Sequence, residues 1–166
     1  MELKKFAFIF VIAFFSAWPV SLRAQVSPPF ESPPVITEVE ARRFLDEYVA
    51  QYVRMDVEAF MTFFSRKAIE NRMLTYADIR EIYQRTFENS HSLQYDLEIY
   101  TVQTYKESTT VTGRYEVIQI FRANPFKKVY RGNIKWELIR EGGVLKIKEI
   151  NYGRDYQADQ PGHPYP

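Results

Sequence analysis

The side chains best suited to chemistry fall in one stretch, 109–152 (TTVTGRYEVIQIFRANPFKKVYRGNIKWELIREGGVLKIKEINY). Tyr115, Gln119, Tyr130, Glu149 and Asn151 alternate there with charged residues, so in strands they share one side with Trp136. Glu149 is the only carboxylate on that side of these strands. Half-buried against an indole, a carboxylate has a raised pKa suited to a general acid or base, and Tyr115 or Tyr130 would then stabilise an oxyanion by hydrogen bonding. The plainer reading of Glu149 is exposure, because it lies near a strand end where a single bulge turns it to solvent. The plainer reading of each tyrosine is core, with its hydroxyl satisfied by water or a backbone carbonyl.

Other chemistries are poorly supported. His91 and His163 have no carboxylate or second histidine at ligand spacing, so neither a metal site nor a histidine dyad is expected. The chain has no cysteine, which excludes thiol catalysis, thiolate metal sites and disulfides. No serine sits in a GxSxG context, and Gly142-Gly143 reads as a hairpin turn, not a phosphate loop. No cofactor is implied.

The elements that must position these residues follow from periodicity. In 129–140, Tyr130, Gly132, Ile134, Trp136 and Leu138 alternate with Arg131, Asn133, Lys135 and Glu137. A four-residue loop at 123–126 and a two-residue loop at Gly142-Gly143 set Tyr115 opposite Ile134, Gly113 opposite Trp136, Leu138 opposite Ile147 and Trp136 opposite Glu149. An earlier strand carries Leu93, Tyr95, Leu97 and Ile99. Ahead of it, Thr37 with Glu40 caps a long helix bearing Phe44, Leu45, Tyr48, Val49 and Tyr52 on one face. Asp56 reads as the N-cap of a short helix with Ala59, Phe60, Phe63 and Phe64, and 65–74 as irregular. Thr75 with Asp78 caps a third helix with Ile79, Ile82, Tyr83 and Phe87 inward. Three helices and then about four antiparallel strands make an α+β domain over 37–152.

Residues 1–24 read as a secretory signal peptide, with Lys4 and Lys5 before an apolar run and cleavage after Ala24. Its removal leaves 19 basic against 20 acidic residues, a net charge of −1, which offers no global attraction to nucleic acid. Residues 25–36 (QVSPPFESPPVI) form a proline-rich linker, and 153–166 a flexible tail. An exported, cysteine-free chain fits a bacterial periplasm or extracellular space.

The long helix followed by RMDVEAFMTFFS, the capped LTYADI helix and the terminal KKVYRGNIKWELIREGGVLKIKEINY pair resemble the nuclear transport factor 2-like (SnoaL-like, ketosteroid-isomerase-like) superfamily. MDVEAFMTFFS, LTYADI and RGNIKWELIREGGVLKIKE are further similar to the accessory domain of periplasmic L,D-transpeptidases, whose catalytic domain and cysteine nucleophile this chain lacks. The superfamily resemblance implies a cone, a curved antiparallel sheet wrapped around the long N-terminal helix, with a cavity between. Tyr48, Tyr52, Phe60 and Tyr83 from the helices, and Tyr115, Gln119, Tyr130, Trp136, Glu149 and Asn151 from the sheet, would line it. The superfamily hosts isomerases, cyclases and non-catalytic modules, so fold alone selects no activity.

The opposite sheet face carries Arg114, Arg131, Lys135, Lys146 and Lys148. It is either solvated surface or a contact for an anionic envelope polymer such as peptidoglycan, and its Ile118, Ile120, Val129 and Ile139 offer ground for a two-fold homodimer. Two functions stay open. One is a non-catalytic exported binding domain for a small apolar ligand or envelope polymer; the other is a small isomerase- or cyclase-type enzyme using Glu149.

Overall fold

The structure, a computed structural model, describes residues 35–123 and 126–154. The expected signal peptide, residues 25–34 of the linker and the tail from 155 onward lie outside the described residues.

In chain order the elements are α1 (Glu38–Val53), α2 (Val57–Met61), β1 (Phe64–Glu70), β2 (Leu74–Thr75), α3 (Tyr76–Asn89), β3 (Ser90–Thr104), β4 (Ser108–Phe121), β5 (Lys127–Glu141) and β6 (Val144–Tyr152). The three helices start where their capping residues place them. Thr37 and Glu40 form a reciprocal capping box, Thr75 and Asp78 a second, and Asp56 accepts from the Ala59 N–H. Burial of Phe44, Leu45, Tyr48 and Tyr52 lays α1 across the inner face of the sheet, against Val111, Ile134, Trp136, Leu138 and Ile147. The class is α+β, a curved, unclosed sheet around a long N-terminal helix.

The sheet has six strands in the order β2-β1-β6-β5-β4-β3. The expected meander is β3 to β6; the two further strands come from the piece read as irregular. β1 is hard to see because its pattern is inverted, with Ile69 exposed while Ser65 and Glu70 are buried. It runs parallel to β6, making the sheet mixed. Phe64, expected in the second helix, opens β1 instead.

The β4–β5 register is two residues from the expected one: Tyr115 faces Gly132, Gly113 faces Ile134 and Val111 faces Trp136. The cause lies in the connection. The Arg122 N–H donates to the Asn89 carbonyl and its guanidinium to the Ser90 carbonyl, which draws Arg122 toward the end of α3, so Ile120 pairs with Lys127. An even slip keeps each residue on its face. The Gly142-Gly143 turn adopts the expected positive φ at both glycines, and Leu138 faces Ile147. Immediately beyond that pair β6 holds one extra residue, Lys148, so Glu137 faces Glu149 and Trp136 faces Ile150.

Candidate functional site: a tyrosine-lined pocket

That extra residue decides what the site contains. Lys148 and Glu149 both point outward, and Ile150 and Tyr152 turn inward. Glu149 accepts from Asn151 at 2.7 Å, and both border an outer groove with Arg72, Thr110, Lys135 and Glu137. Neither reaches the inner cavity, so the expected roles of Glu149 as base and of Asn151 as lining are corrected. Trp136 and Phe60 are fully buried in the packed core, behind the cavity and not at its surface.

Between α3, α1 and the inner face of β3–β6 a cavity of about 140 Å³ remains. Tyr48, Tyr52, Tyr83, Tyr115, Gln119 and Tyr130 line it, joined by Tyr95, Tyr152 and Arg154. Ile134 and Ile150 supply apolar floor, and Ile82, at 38% exposed, lies with Thr86 toward the outside. Ile82 is therefore at the rim, where an inward core residue was expected.

Several lining side chains are held by specific bonds. Tyr130 donates to Gln119 Oε1 (3.3 Å), Gln119 Nε2 to Ser90 Oγ (2.8 Å), and Ser90 Oγ to the Thr86 carbonyl (2.6 Å), a buried relay that ties the sheet to the end of α3. Tyr115 donates to the Gly153 carbonyl at 3.1 Å. The Gly153 N–H in turn donates to the Asn133 carbonyl, bringing the chain across β5 so closely that a Cβ on Gly132 would sit 1.9 Å from the Gly153 oxygen. Only glycine at 132 permits this crossing. It delivers Arg154, a residue read as tail, to the pocket, with its guanidinium 5.1 Å from the centre of the Tyr130 ring.

Behind the lining, bonded to Tyr152, lies the carboxyl of Glu70, fully buried at the end of β1. Tyr152 donates to its Oε1 at 2.6 Å, and Asn71 accepts from the Tyr152 N–H at 2.9 Å, so the β1–β2 turn fixes Tyr152 from two directions. Asn71 and Arg72 hold that turn at positive φ. Glu70 Oε2 makes no hydrogen bond among the described residues; the Tyr83 hydroxyl acts on the carboxyl without meeting hydrogen-bond geometry. Burial raises the Glu70 pKa, opposed by Tyr152, Tyr83 and the Arg154 charge. Burial likewise raises Tyr48, Tyr52, Tyr83 and Tyr95, and burial plus the Glu70 charge raises Tyr152, so these phenols stay protonated. Sequence reasoning missed Glu70, Tyr152 and Arg154; the signal available was a glutamate in period-two alternation with Ala68.

On the opposite face the basic residues carry their own partners. Arg131 pairs with Glu116 and Lys148 with Glu137, each at 2.9 Å, Lys146 donates to the Thr62 carbonyl, and Arg114 is also engaged. Lys135 shares its groove with Glu137 and Glu149. Among the described residues no group of three acidic or histidine side chains is disposed to hold a metal, and no helix is long and apolar enough to cross a membrane.

A long capped helix, a second capped helix pair and a curved six-stranded sheet enclosing a pocket define the nuclear transport factor 2-like fold. The sequence matches no protein-family model and no curated protein. Among solved structures it is similar to a nuclear transport factor 2-like superfamily protein from Salmonella enterica serovar Typhimurium, at 14% identity and TM-score 0.62 over 76% of this chain and 96% of that one. A candidate scytalone dehydratase from Novosphingobium aromaticivorans matches at 12% identity and TM-score 0.62, over 75% and 90%. Bd1075 of Bdellovibrio bacteriovorus matches at 14% and 0.62, over 70% of this chain and 41% of its own. At these identities the likeness is one of fold.

Proposed function

We propose that this protein is a non-catalytic domain that binds a small, largely apolar molecule in the tyrosine-lined pocket, and that it acts outside the cytoplasm after removal of the leader read at 1–24. The observation that carries this reading is the cavity itself. It has about 140 Å³ of space, the scale of a single aromatic ring, with tyrosine side chains making much of its wall. Among the described residues its lining contains no carboxylate and no histidine, so none of them offers a strong base to a molecule held there. The pocket, not the outer sheet face, carries binding, because the basic side chains of that face are largely matched by Glu116, Glu137 and Glu149.

Benzyl alcohol titrated into the purified protein and followed by NMR tests this. Shifts are expected at Tyr95, Tyr115 and Ile134, and are expected to shrink in Thr86→Trp, which narrows the cavity from its half-exposed side. Shifts confined to the groove of Arg72 and Lys135, or no shifts at all, would overturn the reading.

The Glu70–Tyr152 hydrogen bond favours a second reading, an isomerase- or cyclase-type enzyme in which Tyr152 turns its O–H from Glu70 to the oxygen of a bound ketone, and the freed Glu70 carboxylate takes the α proton, leaving an enolate oxygen held by Tyr152. Loss of deuterium from the α carbon of a bound ketone, abolished in Tyr152→Phe, would establish it in place of the first.

A further inference from the structure

We infer that the pocket is selective for an anion, a single-ring carboxylate such as a benzoate, with Arg154 as the residue that receives the carboxylate. The inference rests on the pocket reading above and names its ligand class.

The argument is an inventory of donors and acceptors. Among the lining tyrosines, Tyr115, Tyr130 and Tyr152 already spend their protons on Gly153, Gln119 and Glu70. Gln119 gives an amide proton to Ser90 and its oxygen to Tyr130. Tyr52 and Tyr95 have no hydrogen-bond partner among the described residues, and neither hydroxyl is sealed from the cavity. They are free donors, and burial keeps them protonated. Arg154 adds the guanidinium, exposed, stacked on Tyr130 and without an ion pair among the described residues. The Tyr52 and Tyr95 hydroxyls can donate as well as accept, whereas the Arg154 guanidinium only donates, so the strongest uncommitted group of the described lining calls for an anionic acceptor.

Charge points the same way. Among the described residues Arg154 is the one charged side chain of the lining, and the nearby carboxyl, Glu70, is shut behind Tyr152 and held toward its neutral form by burial. An incoming carboxylate meets a planar cation able to bind both its oxygens, at a pocket edge partly shielded from water. The cavity volume limits the remainder of the ligand to about one ring. The Gly132–Gly153 crossing fixes the guanidinium at the Tyr130 end, so the carboxylate sits outward and the ring inward.

Calorimetric titration of the full chain with sodium benzoate, benzyl alcohol and benzylamine at low ionic strength tests the assignment. Benzoate is expected to bind at least tenfold more tightly than benzyl alcohol, and benzylamine least. Arg154→Gln is expected to lose at least tenfold in benzoate affinity while benzyl alcohol binding stays within twofold, which also shows that the variant is folded. Benzoate binding no tighter than benzyl alcohol, or unaffected by Arg154→Gln, overturns the anion assignment and leaves the pocket reading standing. Failure of all three probes overturns both.

Discussion

At the scale of single residues the site turns on which glutamate faces inward. Glu149 and Glu70 each sit one position from an isoleucine, and hydrophobicity gives no reason to bury the second while Ile69 faces solvent at 44% exposed. The structure buries Glu70 because Tyr152 and Asn71 organise the turn around it, a long-range arrangement that no local window contains. The consequence is measurable as pH dependence. An unfolded chain ionises this carboxyl near 4.5, the ordinary value of a glutamate, whereas burial raises the folded value. Below the unfolded value both states hold the proton and the contribution to stability is complete; it declines as pH rises above 4.5 and is lost once pH has passed the raised folded value. Glu70→Gln keeps an acceptor for Tyr152 and cannot ionise. Its melting temperature is expected to match the wild type near pH 4 and to exceed it increasingly toward pH 8. A difference curve that is flat with pH, or that falls, would show that Glu70 is not buried in the neutral form.

At the scale of elements, capping and alternation made most of the fold legible. Three helix starts, four strands and the facing of all but the end of β6 were readable because each depends on residues within a few positions of one another. The β4–β5 slip was not, since Arg122 is drawn to Asn89 and Ser90 on a different element. The bulge at Lys148 was not placed either, and it inverts Glu149 and Tyr152 between the two faces. Deleting Lys148 would remove the bulge and drive Glu149 and Asn151 inward, with Ile150 and Tyr152 turned to solvent. That variant is expected to lose cooperative thermal unfolding and near-ultraviolet circular dichroism. Lys148→Ala keeps the bulge and forfeits only an exposed ion pair with Glu137, so its stability is expected within about 1 kcal/mol of wild type. Equal melting of the deletion variant and the wild type would show that the strand heals without changing faces.

The whole molecule closes through its last strand. β6 lies between β5 and β1, so the N-terminal half of the sheet cannot join the C-terminal half until β6 is in place. Phe64 and Ile147, partners in the parallel pairing, stand half the chain apart, which is also why a reading by local pattern found a meander and missed the strand beside it. Removing β6 would leave β1 and β5 with bare edges and strip Ile147, Ile150 and Tyr152 from the core. It would also take away the partner of Glu70 and the segment that carries Arg154, so the pocket and the fold share one closing element. A chain ending at Glu141 is therefore expected to be insoluble, or soluble without cooperative unfolding in urea, even though every helix and the β3–β5 meander are retained. A chain ending at Arg154 retains β6 and the Gly132–Gly153 crossing and is expected to unfold in one step with a midpoint close to that of the full chain. If the chain ending at Glu141 unfolded cooperatively, closure by β6 would not be what holds the two halves of the sheet together, and Glu70 would be buried by packing alone.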